Sequence, residues 1–322
     1  MKAPKFSICI PCYNQGAYLE AAILSCLSQS YGNIEIIVSN NASTDTTADV
    51  MASLGKDRRL KTLHQPRTLP MTEHWNIFAS HVTGDWVMLL CADDILHEHA
   101  IANCQRAASE HDRISAVFFE YDYLNGTQAI KKTPFYRSSA TIPAAQQFKI
   151  FLKGNNFPLS AGIVRRDIID QLGWFNVNYR FCPDWYLWTA VTAGYPSSDI
   201  AYIKDKLLLY RQHDENETLH CIAKRQTIPE IARMKHHFIT HYIPEPEIKV
   251  HTEAAQRGTH KLAQRYAEIA RSHSDDELAS YYISLAGDSM PPRSEDAAPT
   301  PPYALPEGST TISTTTRTER VH

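Results

Sequence analysis

The chain has 322 residues, of which 43% are hydrophobic and 21% charged, and its formal net charge is −3. This composition is ordinary for a globular protein with one or two domains, and the slightly negative charge excludes a general attraction to nucleic acid. No stretch reaches the roughly 18 apolar residues of a membrane span, and no signal-peptide pattern precedes the first strand. The seven cysteines are scattered and complete no zinc site, so we expect reduced thiols and a cytoplasmic protein.

Short apolar runs alternate with helical spacing over most of the chain. Strands are predicted at residues 5–10, 34–38, 60–64, 86–91, 115–124, 159–164 and 198–211. Helices are predicted at 18–28, 46–54, 73–82, 97–110 and 143–153, with a short helix from 165 and an aromatic helix from about 183. Because short loops connect the first strands and helices, we expect an α/β fold with a mostly parallel sheet flanked by helices.

The character of the chain changes after about residue 215. Helical patterns occupy residues 217–240, 250–272 and 275–286, and prolines interrupt them. From Met290 onward the chain is rich in Pro, Ser and Thr and has few large apolar residues. We therefore predict a helical region at 216–288 and a disordered tail at 289–322.

Two adjacent carboxylates, Asp93 and Asp94, follow the apolar run from Val87 to Leu90. Ligands of open α/β sheets gather at the carboxyl ends of strands, and hard cations prefer oxygen ligands. An aspartate before residues 97–100 would equally suit a helix N-cap. The residues alone leave a cation site and a helix cap open.

Five stretches, taken in order, resemble family 2 glycosyltransferases, which are inverting enzymes with the GT-A fold. They are SICIPCYN at 7–14, EIIVSNNASTD at 35–45, a central region with HWN at 74–76 and CADD at 91–94, PDW at 183–185, and YRQH at 210–213. The resemblance implies a GT-A domain at 1–215, with a nucleotide-binding half at 1–125 and an acceptor half at 126–215. Asn40 stands where the family usually has an acid, and Cys91 replaces the first acid of the metal motif.

The resemblance implies displacement at an anomeric carbon, with a nucleoside diphosphate as leaving group and Mn²⁺ or Mg²⁺ as cofactor. It makes Asp184 the base for the acceptor hydroxyl, and it makes Asp93 and His213 the metal ligands. The nucleotide-sugar donor, with a UDP-sugar as first choice, is expected to contact Pro11, Tyr13, Asn14, Asn40, Asn76, Asp93 and Arg211. Asp94 and Trp185 are secondary candidates for the site.

Several of these residues also have a structural interpretation. Asp184 could cap the aromatic helix, Tyr13 and Asn14 could serve turn geometry, and Arg211 could pair with a structural carboxylate. Asp45 is assigned to a helix cap rather than to the nucleotide.

The whole protein also has two alternative functions. It could be a non-catalytic nucleotide-sugar or carbohydrate-binding relative, or a nucleotidyltransferase, although the first loop lacks the basic, glycine-rich pattern that the latter requires. For the favoured glycosyltransferase we expect a carbohydrate or lipid-linked acceptor and a role in polysaccharide or glycoconjugate biosynthesis. We also expect no nucleic-acid partner and a peripheral contact at the inner face of the membrane. The oligomeric state stays open.

Overall fold

The computed structural model describes residues 3–213, 217–287 and 310–311. The strands are β1 (Phe6–Cys12), β2 (Ile34–Asn40), β3 (Leu60–His64), β4 (Trp86–Leu89), β5 (Ile95–Leu96), β6 (Ile114–Asn125), β7 (Gln128–Ile130), β8 (Ala140–Pro143), β9 (Gly162–Arg165), β10 (Asp199–Gln212) and β11 (Thr310–Thr311). The helices are α1 (Gly16–Leu27), α2 (Thr47–Leu54), α3 (Met71–Asn76), α4 (Ala100–Ala108), α5 (Ala144–Phe151), α6 (Arg166–Leu172), α7 (Pro183–Gly194), α8 (Glu217–Ala223), α9 (Thr227–Tyr242), α10 (Glu245–Ser272) and α11 (Asp276–Gly287).

All the described strands join one sheet. Its main path runs β11-β8-β10-β6-β9-β4-β1-β2-β3, with β5 and β7 attached to β10 and β6. The pairs β3–β2, β2–β1 and β1–β4 are parallel, as predicted. Strand β9 enters antiparallel between β4 and β6, so the sheet as a whole is mixed.

Strands β1, β2 and β4 are buried at every residue. Such continuous burial is typical of strands that are covered by helices on both faces, and it explains the apolar runs in the sequence. The main hydrophobic core joins these strands to side chains of α1, α4 and α7, including Leu19, Ile101 and Trp188. The core therefore fixes the strand ends, from which the polar loops of the site emerge.

Glu35 is a buried carboxylate inside β2 and is 3% exposed. It accepts hydrogen bonds from the Ser7 hydroxyl at 2.6 Å, the Thr83 backbone N–H at 2.6 Å and the Lys5 ammonium at 2.9 Å. Burial by itself would raise the pKa of Glu35, but these hydrogen bonds outweigh it and lower the pKa to about 2. This network ties β1 and β2 to the segment before β4.

The C-terminal helices pack on α5 and α7 through a second hydrophobic core. That core brings Phe148 and Trp185 of α5 and α7 against Met234 and Phe238 of α9. The predicted boundary at 215 falls among residues 214–216, outside the described part of the chain. The predicted tail at 289–322 also lies outside it, except for Thr310–Thr311, which pair antiparallel with β8. No described helix combines the length and hydrophobicity that a membrane span requires.

Candidate active site

A cleft of about 1600 Å³ opens at the carboxyl ends of β1, β2 and β4. Parallel pairing sets Cys12 beside Asn40 at the ends of β1 and β2. The Leu90 N–H donates to the Cys9 carbonyl at 2.8 Å, which continues β4 alongside β1. The predicted residues Pro11, Tyr13, Asn14 and Asp93 all line the cleft. The sheet register therefore brings together the loops that the sequence predicted to meet.

The first loop is held in shape by the loop after β2. Asn14 has a φ of 53°, in the left-handed region that asparagine tolerates better than most residues. Its side-chain oxygen accepts the Thr44 N–H at 2.9 Å, and its own N–H donates to the Ser43 hydroxyl at 2.9 Å. Asp45 accepts the N–H groups of Gly16 and Thr47 at the starts of α1 and α2, but the N-cap residues of these helices are Gln15 and Thr46, so Asp45 is not itself the cap residue.

Asn40 and Asn76 have hydrogen-bond partners within the protein and are not among the cleft-lining residues. Asn40 is buried, and its side-chain oxygen accepts the Ser43 N–H at 2.8 Å. Asn76 donates to the Phe175 carbonyl at 2.8 Å and accepts the Phe175 N–H at 2.9 Å. Both groups of the Asn76 amide thus hold the turn after α6, and neither asparagine belongs to the proposed donor site.

Asp93 and Asp94 do not cap a helix, because the chain first forms β5 and α4 begins only at Ala100. Asp94 is 1% exposed and accepts the Arg211 backbone N–H at 2.9 Å. The Arg211 side chain donates to the Asp93 carbonyl at 2.8 Å, and its guanidinium lies 4.9 Å from the centre of the Tyr18 ring. Arg211 therefore ties the segment that follows β4 to the end of β10. It is not among the cleft-lining residues.

His213, the residue after β10, lies against the Asp93 side chain. Its Nε2 lies 3.0 Å from Asp93 Oδ2, and its ring packs on Tyr18 with the ring centres 4.9 Å apart. Potential ligand atoms of Cys91, Asp93 and Asp94 all lie within 4.8 Å of one another. Within the described residues, Asp94 Oδ2 is buried and has no hydrogen-bond partner. This donor set of oxygen, nitrogen and sulfur could hold a divalent cation.

Asp184, in the first turn of α7, also lines the cleft. It is not the N-cap of α7, because the helix begins at Pro183 and Cys182 is the cap residue. Its carboxylate accepts the Asn155 amide at 2.9 Å and the Trp185 N–H at 2.7 Å. Burial raises the pKa of Asp184, and the two hydrogen bonds oppose that rise. A carboxylate of raised pKa beside a cleft is suited to accept a proton.

Two residues that support Asp184 have no signal in the sequence. Asn155 belongs to the loop after α5 and gives no motif, although it contacts the predicted base directly. Glu230 of α9 is buried and accepts the backbone N–H groups of Arg180, Phe181 and Cys182, immediately before α7.

Trp185, the secondary candidate next to Asp184, is 4% exposed, and its indole donates to a backbone carbonyl of α5, so its contacts are those of a core residue.

Comparison with protein families and curated sequences identifies glycosyltransferases. The model of the family described as glycosyl transferase family 2 matches residues 7–173. An uncharacterized glycosyltransferase of Haemophilus influenzae is 28% identical over 182 residues, covering 56% of this chain and 70% of that protein. A PGL/p-HBAD biosynthesis glycosyltransferase of Mycobacterium tuberculosis is 30% identical over 190 residues, covering 58% of this chain and 68% of that protein. Of the three functions that the sequence left open, these matches support the glycosyltransferase.

Comparison with solved structures confirms the predicted GT-A fold. S. aureus TarS 1–349 superposes with a TM-score of 0.58 at 14% identity, covering 88% of this chain and 90% of that one. The same protein has been solved in complex with UDP-GlcNAc. The mannosyltransferase PcManGT from Pyrobaculum calidifontis, in complex with GDP-Man and Mn²⁺, gives a TM-score of 0.53 at 14% identity and covers 90% of this chain and 88% of that one.

Proposed function

The chain belongs to glycosyl transferase family 2, and we propose that it transfers a sugar from a nucleoside-diphosphate sugar to an acceptor hydroxyl with inversion at the anomeric carbon. A UDP-sugar is our first choice of donor, since a solved structure of the same fold carries UDP-GlcNAc. The single observation that carries the proposal is the cleft itself. It is lined by Pro11, Tyr13, Asn14 and Asp93 from the strand ends and by the half-buried Asp184 from the start of α7.

In the proposed reaction, Asp184 accepts the proton of the acceptor hydroxyl as that oxygen attacks the anomeric carbon. The new carbon–oxygen bond forms while the bond to the diphosphate breaks, and the electron pair leaves with the nucleoside diphosphate. The Asn155 amide holds one carboxylate oxygen of Asp184 at 2.9 Å. Because burial raises the pKa of Asp184, the carboxylate binds a proton more readily than an exposed aspartate would.

The residues near Asp93 fit the divalent metal, Mn²⁺ or Mg²⁺, that the resemblance implies. Asp93 and His213 would hold it, with Asp94 as a further candidate, because Asp94 Oδ2 is buried and has no partner in the described part of the chain. When bound, the metal supplies positive charge against the leaving diphosphate. Arg211 keeps Asp93 and Asp94 in place. Its guanidinium donates to the Asp93 carbonyl, and its backbone N–H donates to the Asp94 side chain.

We further propose that the acceptor is a carbohydrate or lipid-linked molecule in glycoconjugate or polysaccharide biosynthesis, reached at the membrane surface. The relative involved in PGL/p-HBAD biosynthesis supports a glycoconjugate. The acceptor half, 126–215, and the helical region after it would then form the two sides of the acceptor channel, since α5, α7 and α10 all contribute to the lining.

The proposal is tested by incubating the protein with UDP-, GDP- and dTDP-sugars in the presence of Mn²⁺, Mg²⁺ or a chelator. Release of nucleoside diphosphate and calorimetric binding of UDP, GDP and dTDP are measured. We expect metal-dependent binding of one nucleotide, which Asp93→Asn weakens and which Asp112→Asn, at an exposed position, leaves unchanged. If no nucleotide binds with either metal, the proposed donor site does not exist.

A further inference from the structure

Part of the proposed acceptor channel has lining residues to which the proposed reaction gives no role. This region is lined by the end of α5, the loop after it, the start of α7 and one face of α10. On α10 the lining residues recur at Ala254, Arg257, Lys261 and Arg265, a spacing of three and four residues that places them on one face of the helix. The region therefore has a regular helical wall.

The charge of this region is strongly positive. Its lysine and arginine side chains, which we call the cationic wall, are Lys149, Lys153, Arg180, Arg257, Lys261 and Arg265. Among the described residues that line the whole cleft, the only carboxylates are Asp93 and Asp184. No lining acid is therefore available to neutralise the wall beyond Asp184.

The wall is only partly paired with acids outside the cleft. Lys149 contacts Glu247 at 2.8 Å and Arg257 contacts Glu253 at 4.0 Å. Lys261 and Arg265 are exposed and form no ion pair with a described residue. Like charges four residues apart destabilise a helix, and Arg257, Lys261 and Arg265 make two such pairs in succession. A bound anion would relieve that repulsion.

Helix α10 is held firmly against the loop that orients Asp184. The backbone of Gly258 lies so close to the Lys153 carbonyl that an added Cβ would come within 2.0 Å of the oxygen. The buried Lys235 donates to the Lys153 carbonyl, the Ala255 carbonyl and the Thr259 hydroxyl at 3.0 to 3.2 Å. Lys153 is two residues from Asn155, the partner of Asp184, so the wall has a fixed relation to the proposed base.

We propose that the cationic wall binds a phosphate group of the acceptor, so that the acceptor of this enzyme is a phosphate-bearing molecule. The proposal rests on the function proposed above. Arginine and lysine are the side chains that recognise phosphate, arginine through its planar fork and lysine as a point charge. The wall belongs to the acceptor because it adjoins Asp184, whereas the donor contacts come from the loops after β1 and β4.

The test compares maltotetraose that carries a terminal phosphate with unmodified maltotetraose and with an anionic control that lacks phosphate, a hexuronate oligosaccharide of the same length. Binding to the full chain is measured by calorimetry at low and high salt. The test variant Lys261→Gln/Arg265→Gln removes two exposed cations of the wall. The matched control Lys249→Gln/Arg271→Gln removes two exposed cations of the same helix that do not line the cleft.

We expect the phosphorylated probe to bind more tightly than both other oligosaccharides, and salt to weaken its binding because it screens exposed charges. The test variant should lose roughly tenfold in affinity for it, while the control variant and the binding of UDP with Mn²⁺ stay unchanged. Farnesyl diphosphate is the second probe. If farnesyl diphosphate competes with the phosphorylated sugar and binds at least as tightly, a lipid carries the phosphate. If it competes more weakly, a carbohydrate carries it.

Three results would overturn the inference. Equal binding of the phosphorylated and hexuronate probes would remove the preference for phosphate. Equal losses in the test and control variants would remove the role of the wall. A parallel loss of UDP affinity in the test variant would assign the wall to the donor. Absence of UDP binding by the unmodified protein is a different result, since it refutes the proposed function itself.

Discussion

Glu230→Gln should destabilise the protein, because Glu230 holds the three backbone N–H groups that precede α7. One oxygen of its carboxylate accepts from Phe181 at 2.7 Å and Cys182 at 3.1 Å, and the other accepts from Arg180 at 3.0 Å. In the variant the amide oxygen can keep the first two bonds, but the amide nitrogen then faces the Arg180 N–H, and two donors oppose each other.

The magnitude follows from the lost partner and the lost charge. A hydrogen bond to a charged group contributes about 1.5–3 kcal/mol, and a negative charge near a helix N-terminus adds about 0.3–1 kcal/mol. We therefore expect the free energy of unfolding to fall by about 2–4 kcal/mol. Urea unfolding measures it, with Glu268→Gln, at an exposed position of α10, as the control. A fall below about 0.5 kcal/mol, within the range of ordinary surface substitutions, would refute this account of the segment before α7.

Three further predictions concern pH and chain length. The pKa of Glu35 is about 2 in the folded protein against 4.5 ordinarily, so ionised Glu35 should add up to about 3 kcal/mol to the free energy of unfolding above pH 4.5, and this contribution should vanish toward pH 2. Urea unfolding of Glu35→Gln should lack this pH dependence. Burial lowers the pKa of Lys235 from 10.5 to about 7, so between pH 7 and pH 10.5 the unfolded chain binds more protons than the folded protein. The free energy of unfolding should therefore rise with pH over this range in the natural protein and not in Lys235→Met. Truncation after residue 289 also removes β11, but because Thr310–Thr311 form only a two-residue strand at the edge of the sheet, the melting temperature should shift by only about a degree or two, and a larger drop would show that the removed segment stabilises the domain.

The strands and the position of the cleft could be predicted because they depend on local patterns. A strand that is buried on both faces must be apolar throughout, and parallel pairing brings the ends of β1, β2 and β4 to one edge of the sheet. The start of α4 could not be predicted in the same way. Asp94 is a good capping residue, but Ile95 and Leu96 pair with β10 and delay the helix to Ala100.

The partners of polar side chains depended on contacts between distant parts of the chain. Asn76 binds the backbone of Phe175, which lies 99 positions away. Asp184 owes its environment to Asn155 and, through the preceding segment, to Glu230 of a helix beyond the matched family region. No local spacing encodes such contacts. The same holds for the cationic wall, which forms only when α10 folds back on the loop after α5.

The most direct test of the proposed function is Asp184→Asn, assayed for sugar transfer and for donor binding in parallel. The substitution keeps the size of the side chain and an oxygen that can accept the Trp185 N–H. Unlike the backbone N–H of Arg180 opposite Glu230, the Asn155 side-chain amide can rotate so that its oxygen accepts from the new amide group, so the fold and its melting temperature should be preserved. It removes the ability to accept a proton, and general base catalysis is usually worth about 10²–10⁴-fold in rate.

We predict that turnover by Asp184→Asn falls by about 10²–10⁴-fold, while the affinity for the donor nucleotide with Mn²⁺ stays within about twofold, because the proposed reaction uses this carboxylate on the acceptor and not on the donor. Asp93→Asn, assayed beside it, should weaken donor binding as well as turnover. Near-normal transfer by a well-folded Asp184→Asn protein would contradict the assignment of Asp184 as the base.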